Sequence, residues 1–312
     1  MIKPDDSRLT PAQYAKVRSE AERALSLAGA LGRFPTPIDD IMAAANVEEV
    51  KEDVLNESFI LKLRKQASGA LKSALSKVIG LFDAKARLIF IDRSLHVVKQ
   101  TFVRLHETGH AFMAWQRDLY AVVEDCDQTI EPGTADLFDR EANVFASEVV
   151  FQLDGFTKEA EEKEFGILVP VKLSSKYGAS IYSSVRRYVS QNWRACTVIV
   201  LNPPELIPGD GFRASLRRHC SSPRFTEIFG EMDWPLAFTP DHPVGAMVPI
   251  NGRKMSGKQM LSLTDRNGDT HECIAEAFTQ TYQVFVLIHA VSTLTSSSII
   301  MPRISKSQAS NL

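Results

Sequence analysis

The chain has 312 residues, 44% of them hydrophobic and 24% charged, with a formal net charge of −2. That length can bury a full core and leaves room for two domains, while nothing in the near-neutral balance calls for nucleic acid or an anionic membrane as a general partner. No apolar run approaches the roughly 20 residues of a membrane span, and the opening MIKPDDSRLTPAQ lacks the apolar stretch of a secretory signal.

In chain order, Thr10 and Pro11 supply an N-cap and a first-turn proline for a helix reaching about Leu31, and Thr36 with Pro37 repeat that signal for a helix through Ala45. Residues 50 to 77 are charged and lysine-rich and read as a surface helix or loop pair. Val78 to Asp92 is β-branched and apolar, interrupted at Asp83-Ala84-Lys85, which predicts a two-stranded hairpin. His96 to Gln116 has no proline and reads as one helix, with Val98, Phe102, Leu105, Gly109, Phe112 and Met113 as its apolar stripe. Asp118 to Ala135 carries acidic residues and a Pro-Gly pair and reads as a loop at the mouth of a cleft; Ala135 to Phe151 reads as a second helix. Thr197 to Asn202, Gly245 to Ile250 and Met260 to Leu263 read as strands, Ile274 to Val291 as a buried helix or strand pair, and Ser296 to Leu312 as a frayed tail. Cys126, Cys196, Cys220 and Cys273 form no CxxC pair, so they read as reduced thiols of a cytoplasmic protein rather than a disulfide frame or a zinc knot.

Chemistry is concentrated at His106-Glu107-Thr108-Gly109-His110, an HExxH pattern inside the first of the two paired helices. Positions i and i+4 of a helix share one face about 5–6 Å apart. Two imidazoles there can share a tetrahedral zinc, with Glu107 beside the water that the metal activates. Gly109 costs a helix about 1 kcal/mol relative to Ala, which is understandable if another backbone or a substrate must approach closely at that point.

A catalytic zinc needs a third protein ligand and one open position. In the second helix, Phe138, Ala142, Phe145, Ala146 and Val149 share a face, and on a wheel of about 100° per residue Asp139 falls within that arc. A carboxylate on a packed face is costly unless paired or metal-bound, which favours Asp139 as ligand. Glu141 falls at the arc's far edge beside Glu148, on the wetter side, and stays the alternative third ligand; Arg140, Glu141 and Glu148 otherwise read as a solvated face. Asn143, one turn after Asp139, can orient a ligand from behind. His219, His242, His271 and His289 are isolated and read as structural or surface residues; His96, at the start of the metal helix, is the exception held as a weak site candidate, though its N-terminal position favours a structural role. Arg186-Arg187, with Tyr182 and Tyr188, reads as a solvated helix face.

These two helices resemble those of the ImmA/IrrE family of zinc metallopeptidases, whose members join a helix of type rqTFxxxHExGHa to one of type ExxANxFAxxLLMP. Here Lys99-Gln100-Thr101-Phe102 runs into His106 to His110, and Asp139-Arg140-Glu141-Ala142-Asn143-Val144-Phe145-Ala146 follows. Phe34 to Ile41, Ala86 to Asp92 and Val171 to Tyr188 are similar to the family's flanking segments, so the likeness spans roughly residues 30 to 190. Two positions depart from the pattern. Asp139 stands where the family has glutamate, and Val149-Val150-Phe151-Gln152 where it has Leu-Leu-Met-Pro. The shorter Asp139 side chain demands a closer approach of the two helices.

The resemblance implies an α+β protein with a mostly helical, zincin-like core and a small sheet, over residues 31–194. An N-terminal helix at 1–30 precedes it, and a smaller α+β domain at 195–295 and a tail at 296–312 follow. It implies Zn2+ held by His106, His110 and Asp139, with Glu107 as general base, and a protein substrate, a DNA-binding repressor in stress-response or mobile-element control. No direct contact with nucleic acid or membrane is expected. Rival readings are a peptidase with another intracellular target, a zinc-binding regulator without catalysis, and a toxin-antitoxin component.

Overall fold

The computed structural model describes residues 8–50, 80–126, 130–208 and 211–291. The lysine-rich segment at 50 to 77 beyond Val50 and the tail at 296 to 312 lie outside the described residues, as does the side chain of Cys126. The architecture is α+β, in two compact units that divide between Gln191 and Asn192. Among the described residues no helix is long and apolar enough to cross a membrane.

In the first unit, helix α1 (Pro11–Leu27) begins as its sequence predicts, with Thr10 and Gln13 in a reciprocal capping box. It ends earlier than Leu31. Gly29 adopts φ +56°, Gly29 N–H donates to Ser26 O and Ala30 N–H to Leu25 O, the paired bonds of a left-handed helix stop. Its buried face, Val17, Ala21, Ala24 and Leu25, packs on a later helix. Helix α2 (Ile38–Ala44) follows, but Thr36 does not cap it: that hydroxyl is buried and reaches Val149 O and Val150 O.

Strand β1 (Glu48–Glu49) pairs in parallel with β3 (Leu88–Ile91), which pairs antiparallel with β2 (Gly80–Asp83). The turn between β2 and β3 is held by Asp83 Oδ1, which accepts from the backbone of Lys85 and Ala86, so Asp83-Ala84-Lys85 is the hairpin break that the sequence predicts. The hairpin packs on α3 (Val97–Phe112), the helix of the HExxH pattern, whose N-cap is His96, its Nδ1 accepting from Val98 N–H.

The chain breaks at Met113, with ψ 100°, and restarts as α4 (Ala114–Cys126). Helical structure therefore occupies part of the segment expected to be a loop. Helix α5 (Pro132–Val150) lies against α3, and α6 (Gly155–Glu161), α7 (Leu168–Tyr177) and α8 (Ile181–Ser190) complete the unit.

Glu148 and Arg187 correct the surface reading of their helices. Glu148 is 1% exposed and accepts from Arg187, from Tyr14 Oη at 2.7 Å and from Arg18 Nη1 at 3.3 Å. A charge out of water must be paired, and this one joins α1, α5 and α8.

The second unit is an antiparallel sheet ordered β5-β6-β4-β10-β9-β8, from β4 (Cys196–Leu201), β5 (Glu205–Ile207), β6 (Gly211–Ser221), β8 (Gln259–Thr264), β9 (Thr270–Gln280) and β10 (Gln283–Ala290), with β7 (Ala237–Phe238) on β6. The apolar run after Ile274 is thus a strand pair, in register Phe285 to Phe278. Ile199, Leu201, Phe212, Phe225, Phe238 and Val286 belong to its core. Gly245 to Ile250 is not a strand: helices α9 (Pro223–Phe229) and α10 (Pro243–Ala246) flank the sheet, and a Cβ on Gly245 would lie 1.9 Å from Thr239 O, so the chain closes there only as glycine.

Candidate metal centre

One turn of α3 brings His106 and His110 ring to ring, centroids 4.8 Å apart, with Nε2 to Nε2 at 3.1 Å. Their outer nitrogens are held by oxygens: His106 Nδ1 lies 3.1 Å from Asn143 Oδ1, and His110 Nδ1 lies 2.6 Å from Gln116 Oε1. In a neutral imidazole one nitrogen donates and the other accepts. With both Nδ1–H groups donating outward, the two Nε2 lone pairs face each other, a geometry suited to sharing one cation. Asp139 Oδ1 lies 3.9 Å from His106 Nε2 and 4.0 Å from His110 Nε2. All three donors fall within 4.8 Å of one another. Ligands of a tetrahedral zinc at about 2.0–2.1 Å stand ~3.3 Å apart, so this two-nitrogen, one-carboxylate set fits zinc after a small inward movement of Asp139.

The helices can approach closely because of Gly109. A Cβ there would sit 2.9 Å from the Phe145 ring of α5, so the close approach at Gly109 is made by a side-chain ring rather than by the backbone or substrate that the sequence reading expects. His110 is buried, His106 half-buried and the Asp139 side chain 63% exposed, so the site opens to solvent on the Asp139 side.

Glu107 is 7% exposed. Burial, with the Asp139 charge adding to it, pushes its carboxyl up to about 8. His110 is pulled down to about 3, by burial first and then by His106. The two shifts share a cause: burial in a water-poor pocket, which disfavours the charged form of each group. Tyr120 of α4 stacks edge-on against His110 at 5.4 Å, and its hydroxyl is raised by burial and by the charges of Asp139 and Glu107. The sequence offered no means of placing Tyr120 here, because the break at Met113 that turns α4 back over α3 has no proline or glycine to announce it.

Glu141 reverses the helical-wheel reading. It is the buried carboxylate, 4% exposed, and its Oε2 accepts from Trp115 Nε1 at 2.8 Å and Gln116 Nε2 at 2.6 Å, whereas Asp139 sits at the open edge. The wheel ranked faces by apolar content and could not include the polar partners that α4 brings to Glu141. The structure groups Asp139, not Glu141, with the two histidines. Asn143 stands behind His106. The other histidines include His242, which caps α10 through Nδ1, and His271, 3.0 Å from Asp265.

Residues 65–187 match the family model Peptidase_M78, the IrrE N-terminal-like domain. That segment contains α3 and α5 and fits the ImmA/IrrE resemblance carried by their motifs. No curated protein matches the chain. Among solved structures, a Mycobacterium tuberculosis transcriptional regulator is similar at 13% identity, over 91% of this chain and 82% of that one, with a TM-score of 0.49. That likeness carries no argument about function.

Proposed function

We propose that this chain, whose residues 65–187 carry an IrrE N-terminal-like domain of a peptidase family, is a zinc-dependent endopeptidase. The observation that carries the reading is the pair of imidazole Nε2 atoms facing each other at 3.1 Å beside the Asp139 carboxylate, with the unbalanced Glu107 in the same turn. His106, His110 and Asp139 would hold the metal. Zinc held there would supply a Lewis acid that activates a water molecule and polarises the scissile carbonyl.

Glu107 then acts as general base and general acid, taking a proton from the attacking water and delivering it to the leaving amine. Its buried position beside the two histidines places the carboxylate to do both. Asn143 and Gln116 fix the imidazole tautomers. Tyr120 walls the pocket on the His110 side.

The substrate we propose is a specific cytoplasmic protein, a transcriptional repressor whose cleavage switches on stress-response or mobile-element genes; this rests on the family resemblance. The test is Glu107→Gln, which keeps shape but removes the proton acceptor. Cleavage of a co-expressed repressor from the neighbouring locus should fall by about 10²–10⁴-fold with zinc content unchanged. Equal transcript induction by wild type and Glu107→Gln would place the protein's action in binding rather than hydrolysis.

A further inference from the structure

Behind His110 lies a second tier of polar groups that zinc ligation does not by itself require. The helix break at Met113 carries Gln116, in the first turn of α4, back onto His110, where its Oε1 meets Nδ1 at 2.6 Å. The other end of that amide is occupied twice: Nε2 donates to Glu141 Oε2 at 2.6 Å and to Phe138 O at 3.4 Å. Both partners are acceptors, so the amide has one orientation, oxygen toward His110. Trp115 Nε1 donates to the same Glu141 oxygen at 2.8 Å, and Lys16 of α1 stands 3.6 Å over the Trp115 ring. Gln116 and Glu141 are both buried.

We propose that Gln116 and Glu141 form a positioning relay for the metal site, in which Glu141 orients Gln116 and Gln116 holds His110 with its Nε2 lone pair toward the metal. The inference rests on the metal-site reading above. Its chemistry differs from that of a carboxylate bonded directly to a ligand histidine. The interposed amide transmits the direction of the hydrogen bond but keeps the negative charge of Glu141 one residue away from the imidazole. His110 is thereby locked in tautomer and ring angle before metal arrives, and the entropy of ordering that ligand is lost in folding rather than in binding. Neither Gln116 nor Glu141 is a catalytic residue, since each acts through His110.

The test is zinc affinity of the full chain, measured by competition with a chromophoric chelator, with metal-free melting temperature recorded alongside. Gln116→Leu should weaken zinc by about 10–100-fold. Glu141→Ala should weaken it in the same direction, and Glu141→Gln, which still offers an oxygen to the Gln116 amide, should restore most of it. Because Glu141 works through Gln116, the Gln116→Leu/Glu141→Ala pair should lose no more than Gln116→Leu alone. Wild-type zinc affinity in Gln116→Leu, with a lower melting temperature, or losses that simply add, would overturn the relay and leave the metal site standing. If wild-type protein takes up no zinc, both readings fall together. Should Gln116→Leu not fold, histidine nitrogen NMR of the metal-free wild type decides: His110 protonated on Nδ1 supports the relay, and on Nε2 overturns it.

Discussion

Glu148 and Glu107 are both buried carboxylates of the first unit, one on each of its two paired helices, and they are treated in opposite ways. Glu148 is surrounded by Arg187, Arg18 and Tyr14, so its charge is balanced by donors the chain supplies. Glu107 has the like charge of Asp139 for company and rises to about 8. A carboxylate that serves the fold is given its counter-ions at folding. Glu107 has no such counter-ion among the described residues, and under the proposed function that charge is left for a metal to balance.

The largest effect expected from the comparison is at Glu148. Glu148→Ala leaves the buried Arg187 without its main partner, and removing one member of a buried pair costs about 3–5 kcal/mol. Urea unfolding should register that loss; a change under about 1 kcal/mol would mean that Glu148 is not balanced in the way described.

Glu107 should behave in the opposite sense. Its folded pKa, raised from 4.5 to about 8, means that the folded chain holds a proton the unfolded chain releases. Its contribution to stability is complete below about 4.5 and is lost as pH rises to about 8. His110, lowered from 6.5 to about 3, contributes stability above 6.5 that is lost as pH falls. Between pH 6.5 and 8 His110 gains only ~0.4 kcal/mol, so Glu107 dominates the change of the two. Metal-free protein should lose about 1–2 kcal/mol across that window, at no more than ~1.4 kcal/mol per pH unit. Glu107→Gln should flatten the profile, and an unchanged slope would show that Glu107 is balanced after all.

A smaller effect is expected where the two helices touch. Gly109→Ala places a methyl 2.9 Å from the Phe145 ring. Overpacking of about 1–3 kcal/mol is opposed by about 1 kcal/mol of helix propensity, so a net loss of roughly 1 kcal/mol in chemical unfolding is the expected outcome. A net gain would mean that Phe145 moves aside freely and that the helix spacing is not set there. Smallest of all in stability is Asp139→Ala, within about 0.5 kcal/mol for an exposed residue, while its zinc affinity should fall further than that of Glu141→Ala. The reverse ranking of the two affinities would contradict Asp139 as the third ligand.

Much of the site was legible because it is local. A helix fixes the distance between His106 and His110, and the apolar residues around Phe145 show that the second helix packs against the first. Glu141, Gln116 and Tyr120 were not legible, because their environment depends on a helix break at Met113 and on the direction α4 takes after it. Glu148 and Arg187 were misread as surface for a similar reason: their pairing spans 39 positions of sequence, and a wheel drawn on one helix cannot include a partner on another. In the second unit, strand β4 was readable from its β-branched run, whereas Gly245 to Ile250 looked equally apolar and forms a short helix and its exit. What decides there is the close approach of Gly245 to Thr239 O, a contact invisible to composition.

The measurement that tests the central claim most directly is a zinc titration of chelator-stripped full-length protein, in wild type, in Glu107→Gln and in His106→Ala/His110→Ala. The facing imidazoles and Asp139 predict one tight zinc per chain in the first two and loss of it in the third. Full zinc retention without the two histidines, or no uptake by wild type, would contradict the account.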